Sequence, residues 1–338
     1  MVQPLFPKRH QTEENWFICD FSDVIPKSDI ASMEHPLFTL STRPDKKIRN
    51  YEHNGNKVTI VPSTLGLATI HDKDILIYAI SQLTKGINEG KTPQHKIRFK
   101  AYNLLITTNR GTGGREYKLL RNALDRLTGT LITTDIKTND KQIIKGFGII
   151  DSYEIVVDDS NTNRMIELEI TLSEWLYNSI LGKEILSISP DYFRLRKPIE
   201  RRIYEIARKH CGQQKKWIIS IKNLHKKVGS TSTLYKFKYT LNNIIKHNHL
   251  PNYSLRIESK NVIFFPNEKS VQIPEQGNDS YQLKPQTFEN AKNIVGQQYD
   301  IYALEQEWKA WWESTGKPDL KSPDGAFINF CKQRIFTN

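Results

Sequence analysis

Apolar and polar positions alternate differently in successive stretches of this 338-residue chain, and each change of spacing predicts an element. Tyr51 on one side and Val58, Ile60 and Val61 on the other flank Asn54-Gly55, which reads as strand, tight turn and strand. Asn-Gly readily supplies the positive φ angles of a two-residue hairpin turn. From Ile70 the spacing becomes helical: Ile75, Ile77, Tyr78, Ile80 and Leu83 predict a largely buried helix with Asp72 as N-cap, ending near Gly86 or Gly90. A strand (Lys96 to Lys100), a small helix (Ala101 to Thr107), the turn Gly111-Thr112-Gly113-Gly114 and a longer helix (Arg115 to Leu127) follow. Leu131 to Lys137, Ile143 to Val157 and Met165 to Thr171 then read as extended.

The same order returns after Leu172. Pro198 to His210 is a helix and Trp217 to Ser220 a short strand. Ser220 caps a helix carrying Ile221, Leu224 and Val228, and Gly229 to Thr233 form a turn. Leu234 to His247 is the second helix of the pair, and Tyr253 to Ile257 with Val262 to Phe265 form a hairpin around Ser259-Lys260-Asn261. Helix, strand, helix, turn, helix, hairpin is the winged-helix order. The expected fold class is therefore α+β, with tandem winged-helix domains and a small C-terminal helical region. Residues 1–30 read as a flexible segment, 31–171 as the first winged-helix domain with its N-terminal hairpin, and 172–265 as the second. Residues 266–285 read as a linker and 286–338 as the C-terminal helices. The stretch Ile170 to Ser187, with Trp175-Leu176, is expected to pack between the two halves. In the C-terminal region Trp308, Trp311, Trp312, Phe327, Phe330 and Ile335 make either a mini-core or a surface for a partner helix.

Charge sharpens this picture by its location. Residues 194–260 hold 17 Lys and Arg against three acids, Glu200, Glu205 and Glu258, a net +14 that exceeds the whole-chain +12. Residues 1–193 are net neutral, with 24 charges of each sign, and residues 266–338 are net −2. A focused positive field in such a chain faces a phosphate backbone before an anionic membrane, unless it is only a solvated face.

The helix Leu234 to His247 has a core stripe of Phe237, Leu241, Ile244 and Ile245. Its other side carries Tyr235, Lys236, Tyr239, Asn242, Asn243 and Lys246, all hydrogen-bond donors with no carboxylate among them. Asn pairs bidentately with adenine edges in a major groove, and Lys serves phosphates; alternatively the two tyrosines merely edge the core. In the first half Leu120, Leu124 and Leu127 oppose Arg115, Lys118, Arg121, Asn122 and Arg126, with Asp125 as a dissenting charge. That helix either reads DNA or serves an interface between protomers. In the hairpins Lys137 with Lys141, and Arg256 with Lys260, are placed to reach the backbone. Arg194, Arg196 and Arg201, at and before the leading helix of the second half, either contact phosphate or form salt bridges through Glu200 and Glu205.

Catalytic signals are missing. There is no GxxxxGK[ST] phosphate loop. His247-Asn248-His249 has Asn where a paired-histidine metal site needs an apolar buried residue, and His210-Cys211 with His225 lack the further cysteines of a zinc set. The three cysteines, Cys19, Cys211 and Cys331, are scattered, as in a reducing compartment. No apolar run reaches the roughly 20 residues of a membrane span, and Met1 to His10 lack a signal-peptide core. A cytoplasmic protein without catalytic residues, metal or cofactor is expected.

Four stretches stand out together: Ser32-Met33-Glu34-His35-Pro36-Leu37-Phe38 with Tyr51-Glu52-His53-Asn54-Gly55, Gly66-Leu67-Ala68-Thr69-Ile70-His71-Asp72-Lys73-Asp74, Thr112-Gly113-Gly114, and Asp191-Tyr192-Phe193-Arg194-Leu195-Arg196-Lys197-Pro198. In these stretches the chain resembles the plasmid replication initiator protein A family of bacteria. The resemblance covers about residues 30 to 265, and Glu307-Trp308 and Ala326-Phe327 look like the ends of longer relatives. It implies a protein that binds repeated origin sites on double-stranded plasmid DNA, helps to open the adjacent AT-rich segment and thereby governs copy number. The implied partners are host replication proteins, such as the replicative helicase or the chromosomal initiator, and a second copy of the chain in a homodimer. The residues themselves leave a transcriptional repressor of the same architecture, and more remotely an origin-nicking enzyme, as alternatives.

Overall fold

Two short strands, β1 (Phe17–Ile18) and β2 (Lys27–Asp29), lead into the helix α1 (Ile30–Glu34), where the Asp29 carboxylate accepts from the Ser32 amide at 2.7 Å. The structure is a computed structural model and describes residues 17–18, 21, 24–53, 56–138, 141–157, 165–212, 214–267, 283, 285–295, 304–305, 308, 311–312, 315 and 322–336. Residues 27–29, at the end of the segment expected to be flexible, are ordered: Ser28 and Asp29 are buried, and β2 pairs antiparallel with β10 (Ile185–Ser187). Residues 1–16 lie outside the described residues.

The expected hairpin is β3 (Arg49–His53) with β4 (Asn56–Val61), its Asn54-Gly55 turn outside the described residues. Then come α2 (Lys73–Asn88), β5 (Lys96–Lys100), α3 (Ala101–Thr107) and α4 (Gly114–Gly129). Asp72 precedes α2 as expected, but its side chain caps no helix amide, because its carboxylate faces α4 instead. The stretch expected to be extended from Ile143 to Val157 is two strands in two sheets. β6 (Leu131–Thr138) and β7 (Lys141–Gly148) join the hairpin in the order β3-β4-β6-β7. β8 (Ile150–Val157) and β9 (Met165–Leu172) join β5 in the order β1-β5-β9-β8. The hairpin bearing Lys137 and Lys141 therefore belongs to the β3-β4 sheet, and these two side chains lie outside the described ones.

Within the stretch Ile170 to Ser187, Leu176 and Ile180 of α5 (Glu174–Leu181) belong to the first core and Leu186 packs against the second. Beyond it, Ile188 and the 3-10 turn Pro190–Arg194 belong to the second core. The second half consists of α6 (Pro198–His210), β11 (Trp217–Ser220), α7 (Ile221–Val228), α8 (Leu234–His247), β12 (Tyr253–Glu258) and β13 (Asn261–Pro266), with sheet order β11-β13-β12. The strand orders β5-β9-β8 and β11-β13-β12 match; the first half adds β1 to its sheet and carries a second sheet, β3-β4-β6-β7, whose strands β6 and β7 stand between α4 and β8 in the chain.

Helix α2 explains why the halves cohere. It is buried on almost every side: Ile75, Leu76 and Ile80 belong to the first core, while Ile77 enters the other core with Met33, Ile203, Phe237 and Phe264. By compactness the chain divides into Met1–Ile273 and Pro274–Asn338. The second unit has its own core, where Trp308 and Cys331 are buried with Ala291 of α9 (Pro285–Val295) and Phe327 of α10 (Pro323–Phe336). Most of the expected linker, 268–282, lies outside the described residues.

Candidate nucleic-acid interface

Helix α8 begins at a turn with little freedom to move. Thr233 caps it by accepting from the Lys236 amide at 3.3 Å, and His225 Nε2 lies 2.8 Å from the Ser232 carbonyl. Gly229 ends α7 in the left-handed region at φ 72°, and a Cβ there would meet Pro36 at 2.6 Å, so only glycine suits both the angle and the contact. Phe237, Leu241 and Ile244 are buried, which turns the opposite face outward. Tyr235 is 85% exposed and Tyr239 63%, so neither edges the core. Lys236, Asn242 and Lys246 are exposed beside them, and Asn243 is half-buried. The first turn of α8 has no acid to neutralise the partial positive charge of the helix start, which favours phosphate there.

The +14 is unevenly available. Arg201, Arg202 and Arg208 are buried, and Lys209 and Lys227 close on Glu34 of α1. Burial alone would raise the Glu34 pKa, but hydrogen bonds from His210, Lys209 and Lys227 outweigh it and hold the carboxyl well below the usual range. The other 12 cations of the segment are exposed, with Glu258 its only exposed acid. Arg256 lies on β12 and Lys260 at the hairpin tip; Arg256 is 2.7 Å from Glu258, an exposed pair that constrains it little. Arg194 and Arg196 are exposed, Arg194 beside Asp191 at 3.1 Å.

Arg201 does not face solvent, which corrects its assignment to DNA. Its Nη1 donates to Asp74 Oδ1 at 2.5 Å, its Nε donates to the Leu195 carbonyl at 2.8 Å, and its guanidinium stacks 5.0 Å over the Tyr192 ring. The salt-bridge alternative holds, but with partners from the first half. Glu205 accepts from Lys73 Nζ and the Tyr192 hydroxyl, each at 2.8 Å, and pairs with Arg202 at 3.2 Å. A buried pair such as Lys73 with Glu205 stands only because several donors compensate the lost hydration. Glu200 is buried at the start of α6, 3.1 Å from both Lys197 and His249.

Helix α4 presents Arg115, Lys118 and Arg121 exposed and Asn122 half-buried. Arg126 is drawn out of this set: it makes a bidentate pair with Asp72 at 2.7 and 2.8 Å, and that hydrogen bond raises its pKa in spite of burial. Asp125 accepts from the Tyr153 hydroxyl at 2.5 Å, so the dissenting charge is engaged by β8. Arg110, in the turn before α4, reaches the other oxygen of Asp74 at 2.9 Å. Asp72 and Asp74 thus hold the turn and helix of the first half, and Asp74 also holds α6 of the second. Sequence reading missed this role, since Asp72-Lys73-Asp74 at a helix start looks like capping; the one available signal was an isolated lysine between two acids in an apolar surround. His247 and His249 do not converge as a metal pair. His247 Nδ1 faces the Asn243 carbonyl at 2.7 Å, His249 faces Glu200, and Asn248 between them ends α8 in the left-handed region at φ 43°.

Comparison with known proteins places this geometry. Residues 27–255 match the family described as replication initiator protein A. A chain from Wigglesworthia glossinidia brevipalpis, provisionally named a replication protein, is 43% identical over 265 residues, covering 77% of this chain and 96% of that one. Crystal structures of domains 2 and 3 of RctB have a similar fold. One matches at a TM-score of 0.56 with 11% identity over 71% of this chain and 98% of its own, the other at 0.50 with 12% identity over 71% and 97%.

Proposed function

The chain belongs to the replication initiator protein A family, and from that premise we propose that it is a tandem winged-helix protein that binds repeated origin sites on double-stranded plasmid DNA, promotes opening of the adjacent AT-rich segment and recruits host replication proteins. It acts by binding, with no catalytic step of its own. The observation that carries this reading is the face of α8: Tyr235, Lys236, Tyr239, Asn242 and Lys246 exposed together on a helix whose entry turn is hydrogen-bonded, in a segment, residues 194–260, that holds 12 exposed cations. The repeated strand order supports a second reader in the first half, with α4 standing where α8 stands. Two helices reading one face of a duplex would sit about 10 bp apart.

A footprint of the full chain across the encoding plasmid, with permanganate reactivity of thymines as the measure of strand opening, tests this. Protection of about two helical turns per repeat, with reactive thymines in a neighbouring AT-rich stretch, is expected. Protection without reactive thymines would leave a repressor, and a covalent tyrosine adduct at a nick would overturn the binding-only mechanism.

A further inference from the structure

Between the two candidate reading helices runs a loop to which nothing above gives a function. Residues Ser41 to Arg49 read Ser-Thr-Arg-Pro-Asp-Lys-Lys-Ile-Arg, with Arg43, Lys46 and Lys47 exposed. Two clefts meet at it. One, of about 400 Å³, separates Arg43 and Pro44 from Glu116, Leu119 and Arg126 on the flank of α4 and has Arg196 in its wall. The other, of about 340 Å³, separates Ser41 and Arg49 from Ser232, Lys236 and Thr240 at the start of α8. Ser41 and Leu67 line both, so the loop forms the ridge between the two helices.

The ridge is built rather than loose. Asp45, at its centre, accepts from Arg49 Nη2 at 2.5 Å, from the Thr39 hydroxyl at 3.1 Å and from the Lys47 amide at 3.2 Å. Its carbonyl accepts from the Leu67 amide at 2.8 Å. Gly66, at φ 101°, lets the backbones close: a Cβ there would stand 2.9 Å from the Asp45 nitrogen. The Ser41 hydroxyl ties the preceding turn by donating to the Arg43 carbonyl at 2.8 Å. The only acid of the loop is thus engaged within it, and its three exposed cations project from a hydrogen-bonded backbone, so binding them to an anion orders their side chains but not the loop backbone.

We propose that the ridge Arg43–Lys47 is a third DNA-contacting element that grips the phosphate backbone of the duplex between the sites of α8 and α4. The proposal rests on the reading of α8 as a DNA-facing helix and adds to it a sequence-independent contact carried by the first half of the chain. Phosphate contacts fix register without reading bases, which is what a ridge between two reading helices is placed to do.

The test uses the full chain with Arg43→Ala, Lys46→Ala and Lys47→Ala combined, titrated on a footprinted origin repeat and on a random duplex over a range of salt. Each lost phosphate contact makes the slope of log affinity against log salt shallower by about 0.9, so the expected change is about 2 to 3 on both duplexes, with thermal melting unchanged. Hydroxyl-radical protection should fall between the two outer protected regions. Lys46→Gln alone keeps the claim open to refutation if the triple variant melts early, with an expected change in slope of about 0.9. Unchanged slopes, in variants of a protein that still loses its origin preference on Asn242→Ala, would overturn the ridge and leave the α8 reading standing. If Asn242→Ala also changed nothing, the α8 reading itself would fall and the ridge with it.

Discussion

Helices α4 and α8 are each the last helix before the closing strand pair of a sheet, β8-β9 and β12-β13, in sheets of matching strand order, yet the chain uses their charges differently. On α8 the cations are left at the surface: Lys236, Lys238 and Lys246 are exposed, and no carboxylate occurs between residues 234 and 247. On α4 part of the charge is turned inward. Arg126 is clasped by Asp72, Asp125 by Tyr153, and the preceding Arg110 by Asp74. Part of the charge of the neutral first half is thus paired: Asp72 holds α4, and Asp74 holds both the turn before it and Arg201 of α6. On the proposed reading, the basic second half would supply the attraction to the duplex, and the paired charges of the first would be the frame that sets where a second helix meets it.

The largest expected effect separates attraction from frame. With roughly eight phosphates neutralised, the log–log salt slope should be about −7, so affinity falls about 10⁴-fold from 50 to 200 mM salt. Replacing Lys236, Lys246 and Lys260 by Gln should flatten that slope by about 3, against a smaller change for Arg115, Lys118 and Arg121. Equal changes would erase the contrast between the helices, and a parent slope shallower than about −2 would refute the electrostatic account.

The frame is tested next by Asp74→Asn. Its two oxygens serve Arg201 and Arg110, and Arg201 is 3% exposed, so the substitution strands a buried guanidinium. Breaking such a pair from one side costs about 3–5 kcal/mol, which for a unit of this size lowers the melting temperature by about 10 °C. The loss should appear in melting before any DNA is added. Removal of the exposed Arg194 by Ala, in contrast, should leave melting within about 1 °C. A variant Asp74→Asn that melted with the parent would mean that the Asp74–Arg201 pair does not hold the two halves together.

Reading is the third difference. Asn242→Ala should cost about 1–3 kcal/mol on the specific site and nothing on random duplex, while Lys236→Ala weakens both alike. Arg115, Lys118 and Arg121 replaced together by Ala should remove one half of a monomer's footprint and leave the other. A footprint that stays whole while self-association changes would make α4 a surface between protomers.

Much of this was legible in the chain because it depends on local order. The spans 198–210, 217–220 and 234–247 follow from cap residues and from apolar spacing that a single helix or strand satisfies alone. What escaped depends on partners distant in sequence. Ile143 to Val157 has uniform β character, and only pairing with β6 on one side of Ile149 and β9 on the other divides it between sheets. Arg201 and Arg126 look like their exposed neighbours, and they differ only because Asp74, 127 residues away, and Asp72, 54 away, are folded against them. Charge on a helix face marks a binding surface only when no buried acid has already claimed it.

The smallest expected effect concerns His71, which stands at the junction of frame and reader. Burial lowers its pKa from 6.5 to about 4, and the Arg201 charge adds to this against the opposing pull of Asp74. The neutral ring is therefore the form the fold accepts. In the unfolded chain the imidazole takes up its proton near pH 6.5, so between pH 6.5 and 4 the unfolded state binds more protons and folding stability falls as pH falls. Above pH 6.5 the contribution is complete. After allowance for partial solvent access, the loss between pH 7 and pH 5 should be about 1 kcal/mol. His71→Gln, which stays neutral, should melt with a smaller difference between those two pH values than the parent. The effect belongs to the frame, so the affinity of α8 for random duplex should follow the same pH course in parent and variant. If instead the two proteins lost stability equally on acidification, the acid sensitivity would lie with other groups and His71 would be a packed but electrostatically idle side chain.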